Sequence, residues 1–197
     1  EGTYTDAAER LDTKKASEFI LQFRAGKQSI VNHGKSLSRD DIYRIFSIPA
    51  SKRIILIPNQ IDSDTNIVYY SNNYRTNLSV IRELASAARH LPDAYLVVKT
   101  HPEDTEEDLT EIHGILGAQG TVVTDIALHS LIDAAYALVV RNSTVGLEGV
   151  LFGKPVVALG LSSYSGKGLT YDVSNSGEML DALKRFWGKD APTLPDP

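Results

Sequence analysis

An α/β fold built on a parallel sheet is predicted by three observations. After residue 50, short β-branched runs alternate with segments of helical period. The runs themselves are almost bare of polar residues, whereas the loops after them are dense in such groups. Strands alternating with helices imply right-handed crossovers and a parallel sheet covered on both faces.

The elements can be taken in chain order. "RIILI" (53–57) reads as a buried strand, and "RTNLSVIRELASAARHL" (75–91) as a helix with Leu78, Ile81, Leu84, Ala85 and Ala88 on one face. "AYLVVK" (94–99) is a second strand, 103–117 an acidic segment of helical character, and "TVVT" (121–124) a third strand. "HSLIDAA" (129–135) reads as a short helix and "ALVV" (137–140) as a fourth strand. "TVGLEGVLF" (144–152) is a helix stopped by Gly153, "PVVAL" (155–159) a fifth strand, and "SGEMLDALKRFWG" (176–188) a closing amphipathic helix. Residues 1–50 differ: "DAAERLDTKKASEFILQFRAG" and "SRDDIYRIF" read as helices, so this part is a helical lead-in packed on the sheet. The expected division is a helical lead-in over 1–50, an α/β domain over 51–190 and a Pro-rich tail over 191–197. No internal repeat is visible.

Composition narrows the function classes. The 197 residues are 42% hydrophobic and 23% charged, with net charge −5, which argues against a general nucleic-acid binder. With no cysteine there are neither disulfides nor thiolate metal sites. The most apolar stretch, "VGLEGVLFGKPVVALG", is broken by Glu148 and Lys154 and is no membrane span. The opening "EGTYTDAAERLD" has neither the look of a signal peptide nor a leading methionine, and reads as part of a longer chain.

In open parallel sheets ligands bind beyond the carboxyl ends of the strands, so those loops carry the functional reading. The first is "PNQIDSDTN", with Gln60, Asp62, Asp64 and Asn66. If extended, Asp62 and Asp64 share a face and supply a nucleophile or base; otherwise they form an Asx-rich turn. The second is "KTHPE", where Pro102 biases His101 toward an extended backbone, so that its ring is aimed over the strand ends. A ring held there is suited to donating to a phosphate and, if protonated, to offsetting its charge. The third is "RNSTVGLE", in which Asn142, Ser143 or Thr144 caps a helix. With Gly146 in its first turn, that helix start is also suited to a phosphate. Glu148, one turn on, is either a favourable N-terminal carboxylate or a partner for a ribose hydroxyl. The fourth is "SYSGKGLTYD", with glycines on either side of Lys167. The other histidines, His33, His90, His113 and His129, read as structural or solvated. There is no G-x-S-x-G elbow, Walker loop or strand–GxGxxG–helix fingerprint, so hydrolase, P-loop and NAD readings fall away.

Together, "NQIDSDTNI", "LVVKTHP", "NSTVGLEGVLFGKPVVALG" and "YSGKGLTYD" resemble the capsule polysaccharide biosynthesis glycosyltransferases of the β-Kdo transferase type. The resemblance runs from about residue 53 to 173, with a fainter echo in "GKQSIVNHG". It implies a GT-B enzyme of which this chain is the C-terminal, donor-binding half, with an N-terminal half supplying the acceptor site. By motif match His101 contacts the donor phosphate, Ser143 and Thr144 bind it from the helix start, and Asp64 is the catalytic carboxylate, with Asp62 beside it. Gln60, Pro102, Asn142, Glu148, Lys167, Gly168 and Thr170 complete the expected donor site. Lys167 and the pair Ser162 and Ser163 depart from the family pattern and bear on the sugar accepted. The resemblance further implies CMP-Kdo as donor, a retaining mechanism through a sugar–Asp adduct, no metal or cofactor, and a saccharide or glycolipid acceptor. The expected location is cytoplasmic, with peripheral contact at the cytoplasmic face of the inner membrane. Competing readings are a CDP-alcohol phosphotransferase of the teichoic-acid type, a sugar-nucleotide epimerase and a non-catalytic nucleotide-sugar-binding module.

Overall fold

In a computed structural model, residues 13–26, 34–71 and 73–188 are described; the expectations for 1–12, for most of "GKQSIVNHG" and for the tail lie outside them. Two helices lead in: α1 (Thr13–Gly26) and α2 (Arg39–Ile45), the latter capped by the Ser38 side chain, which accepts from Asp41 N–H. The strands are β1 (Arg53–Pro58), β2 (Ala94–Lys99), β3 (Gly120–Val123), β4 (Ala137–Val140), β5 (Val156–Ala158) and β6 (Tyr171–Asp172). Between them lie α3 (Thr65–Tyr70), α4 (Asn77–Ala88), α5 (Glu106–Leu116), α6 (Leu128–Ala134) and α7 (Val145–Leu151), and α8 (Ser176–Phe186) follows β6.

The strands form one sheet in the order β3-β2-β1-β4-β5-β6, and every pairing is parallel. The alternation of a strand divides its residues between two cores. Ile55 and Ile57 join Leu96, Val98, Val139 and Val157 on the face covered by α4, α5 and α8. Ile54 and Leu56 join Val97, Leu138, Val140 and Val156 on the face covered by α2 and α6. Burial on both faces is why these strands read as unbroken apolar runs.

The expected helix face of α4 is the buried one: Ile81, Leu84, Ala85 and Ala88 lie in the core, with Leu78 half-buried against it. Two elements depart from the sequence expectation. "TNIVYY" forms α3 rather than loop, started by Asp64 as N-cap and anchored by the buried Ile67. Tyr171 and Asp172 form a sixth strand through pairing with Val157 and Ala158. The lead-in is built into the structure: Ile42 and Ile48 are core residues, and Lys35 bridges in parallel to Ile126 just before α6.

The strand order reverses between β1 and β4. That switch point opens a crevice at the carboxyl ends of the two strands, where the loops after them diverge to opposite faces.

Candidate functional site

At that crevice a cleft of about 270 Å³ is lined by Gln60 and Asp64 from the β1 loop, Lys99 at the end of β2 with His101 and Pro102 after it, and Ser143, Thr144 and Glu148 around the start of α7. Leu128, at the start of α6, and Val145 add apolar wall.

The floor of the cleft is tied together by polar bonds that cross the switch point. Arg141, the residue after β4, is buried to 3% exposure; it pairs with Asp62 (2.8 Å) and donates to Arg75 C=O, Gln60 C=O and Asn77 Oδ1. Burial lowers the pKa of this guanidinium, against the raising field of Asp62. Asp62 also accepts from Asn77 N–H, so its carboxylate holds the β1 loop onto α4. Asp62 and Asp64 therefore share no extended face: the chain turns at Asp62, and Asp64 caps α3 by accepting from Asn66 N–H at 2.7 Å. Asp62 lies outside the cleft, which Asp64 lines. Gln60 Nε2 donates to Asn142 Oδ1 at 3.1 Å, and Asn142 Nδ2 donates to Asn66 C=O. Asn142 is thus a brace between two loops and does not line the cleft.

His101 is half-buried. Its backbone N–H donates to Asp104 Oδ2, and its Nδ1 accepts from Glu103 N–H at 3.2 Å. With Nδ1 an acceptor, the ring proton of the neutral imidazole sits on Nε2, making that nitrogen the donor available to a ligand. Lys99 lies beside it; burial lowers the pKa of its ammonium, which donates to Thr124 C=O.

The "NST" start separates into distinct roles. Ser143 Oγ accepts from Val145 N–H at 3.2 Å, which is capping chemistry. Thr144 is the N-cap residue, yet its hydroxyl makes no capping bond and it stands exposed at the cleft. Gly146 is required for packing: a Cβ there would collide with the Tyr164 ring and hydroxyl. Tyr164 is buried, donates to Ser143 C=O at 2.6 Å, and has its pKa pushed up by burial to about 12. The glycine-rich loop therefore reaches the site through Tyr164. Lys167, Gly168 and Thr170, expected as donor contacts, do not line the cleft. Lys167 is exposed between Gly166 and Gly168, both at φ +68°, while Thr170 is buried and donates to Asp172 Oδ1. The loop folds back on itself because Asp172 also accepts from Gly166 N–H.

Sequence reasoning missed Arg141 and Tyr164, and it read His129 as structural or solvated without its partner. His129, fully buried on α6, has its Nε2 2.6 Å from Glu148 Oε2. Only the residue type gave a signal: an arginine directly after a strand of four buried residues, and a histidine in a short helix whose other polar residues are Ser130 and Asp133.

The model of the family described as capsule polysaccharide biosynthesis protein matches residues 14–186. The chain belongs to that family. It is 29% identical over 148 residues to the capsule polysaccharide export protein KpsS of Escherichia coli, covering 71% of this chain and 36% of that protein. It is 29% identical over 138 residues to the capsule polysaccharide modification protein LipA of Neisseria meningitidis serogroup B, covering 65% of this chain and 18% of that one. The chain thus spans well under half the length of these relatives. Among solved structures, the β-Kdo 2,4 transferase of Thermosulfurimonas dismutans KpsC superposes with a TM-score of 0.59 at 20% identity, over 86% of this chain and 53% of that one. The β-Kdo 2,7 transferase of the same protein gives 0.55 at 24%, over 84% and 55%. The UDP-GlcNAc 2-epimerase of Neisseria meningitidis gives 0.56 at 12%, over 75% and 39%. These likenesses establish a Rossmann-like, GT-B-like fold. Among the described residues no helix is long and apolar enough to cross a membrane.

Proposed function

We propose that this chain is the donor-binding half of a glycosyltransferase that moves a sugar, Kdo, from CMP-Kdo to a growing capsular polysaccharide or glycolipid. The observation that carries the reading is the convergence of Asp64, His101, Thr144 and Glu148 on one cleft at the switch point. Family membership supports the setting in capsule synthesis, and we place the reaction at the cytoplasmic face of the inner membrane.

In this mechanism the donor phosphate lies between the Nε2–H of His101 and the Thr144 hydroxyl. An Asp64 carboxylate oxygen attacks the anomeric carbon, and the bond from that carbon to the phosphate oxygen breaks. The electron pair leaves with CMP, whose phosphate is stabilised by His101. The acceptor hydroxyl then attacks the same carbon from the opposite face and displaces Asp64. Its proton passes to a base in the N-terminal half, and two inversions give net retention. Asp62 acts in this scheme only through the loop it holds.

Calorimetric titration with CMP, CDP and UDP tests the binding step. CMP binds best, and His101→Ala weakens it about tenfold, as expected for one hydrogen bond to a charged group. Tighter binding of CDP would instead favour the phosphotransferase, and nucleotide binding that is absent or indifferent to His101→Ala would favour a non-catalytic binding or scaffolding module. The carboxylate step is checked by mass spectrometry of protein joined to its N-terminal half and incubated with CMP-Kdo. A sugar adduct accumulates on the protein, and Asp64→Ala abolishes it.

A further inference from the structure

Behind the cleft, α6 holds a histidine where a polar ring is costly. His129 has no exposed surface and lies in ring contact with Phe23 of α1, at 5.4 Å between centroids, and with Phe152 after α7, at 5.1 Å. An imidazole among aromatic rings needs compensating bonds. One is made by Nε2, 2.6 Å from Glu148 Oε2.

Glu148 stands between this ring and the cleft, with its side chain 15% exposed and its residue in the lining. A glutamate has three side-chain torsions, and an unanchored one would sample several carboxylate positions. Fixing one oxygen against a buried ring removes most of that freedom, while a carboxylate retains acceptor capacity beyond a single bond. Such a group repels phosphate but accepts readily from a pair of neighbouring hydroxyls. It lies one turn into α7, past the Thr144 hydroxyl. That order suits a nucleotide whose phosphate faces Thr144 and His101 and whose sugar faces Glu148.

We propose that His129 is a positioning residue that holds the Glu148 carboxylate to accept from the ribose hydroxyls of the bound nucleotide. This rests on reading the cleft as a nucleotide site. It also gives the lead-in a part in recognition, because Phe23 of α1 packs on the ring that sets Glu148.

The test is calorimetric titration of the chain with CMP and with 2′,3′-dideoxy-CMP. The unaltered chain prefers CMP by about tenfold, the expected effect of hydrogen bonds to a charged acceptor. His129→Phe keeps the ring packing but removes the donor. It weakens CMP to the level of the dideoxy nucleotide and leaves affinity for the latter within about twofold. His129→Gln, which restores a donor, recovers part of the preference. Should His129→Phe fail to fold, His129→Asn carries the test: its shorter amide does not reach Glu148, and the preference collapses in the same way. A variant that weakens both nucleotides alike, or leaves the preference intact, overturns the proposal. An unaltered chain that binds both nucleotides equally overturns it while leaving the nucleotide reading standing. A chain that binds neither overturns both.

Discussion

The two ends of the sheet carry similar residues to opposite effect. At the amino end, Arg53 opens β1 and is enclosed: its Nε donates to Asp93 at 2.6 Å, its Nη2 donates to Trp187 C=O, and its guanidinium lies 4.4 Å from the Tyr136 ring and 4.2 Å from the Trp187 ring. Trp187 Nε1 donates to the second oxygen of Asp93, closing the cluster. At the carboxyl end Arg141 is buried more deeply still, yet the polar groups above it, Asp64, His101, Thr144 and Glu148, face a cleft. One end is a clasp whose charges answer each other. The other is a braced floor whose upper groups, though most are held by bonds of their own, line an open cleft. Charge at a strand end therefore points to function where it lines an open cleft, as Asp64 and Glu148 do, and to stability where a closed cluster surrounds it.

The largest expected effect that would break this contrast is at the clasp. Trp187→Ala removes a nearly buried indole from the core and from Arg53, and should cost about 3–5 kcal/mol in denaturant unfolding. The protein that remains folded should bind CMP as before; a matching loss of affinity would show that the two ends are coupled.

Gly146→Ala should be intermediate, because the new methyl displaces Tyr164 from the Ser143 carbonyl. About 1–3 kcal/mol of stability is expected to go, and CMP affinity should fall with it. Loss of both sharpens the picture of the carboxyl end as a site in which packing and recognition share residues.

The smallest effect is the pH response of the clasp. Burial raises the pKa of Asp93, but its bonds to Arg53 and Trp187 outweigh this and hold it below the ordinary value of 3.8. A carboxyl lowered on folding contributes stability that is present above its unfolded pKa and lost as pH falls through the folded one. Asp93→Asn should therefore reduce stability at neutral pH and flatten its decline in acid, as read from urea midpoints across that range. An unaltered acid slope would mean that Asp93 is not a stabilising partner of Arg53.

Much of this architecture is legible in the sequence. β1, β2 and β4 declare themselves because burial on both faces leaves no room for polar residues. His101, Asp64 and Thr144 stand out because they lie in the polar loops that follow such runs. Other features depend on distant partners and leave no local trace. α3 is short and rich in β-branched and aromatic residues, and it forms because Asp64 caps it and Ile67 is buried. β6 exists only through its pairing with β5. Arg141 and His129 acquire their roles from residues far along the chain, Asp62 and Asn77 for one and Glu148 for the other. Lys167 and Thr170, motif positions that read as donor contacts, lie away from the cleft because the loop turns upon Asp172.

The strand order carries a consequence for how the protein is made. β1 pairs with β2 along one edge and with β4 along the other, and its Ile55 meets Ala137 about eighty residues later in the chain. At a synthesis rate of about 5–20 residues per second, that second edge waits about 4–16 s for its partner after β1 leaves the ribosome. Through that interval "RIILI" offers a bare, apolar template to any other nascent strand. The central position that places β1 beneath the cleft also makes it the segment most in need of a chaperone during synthesis.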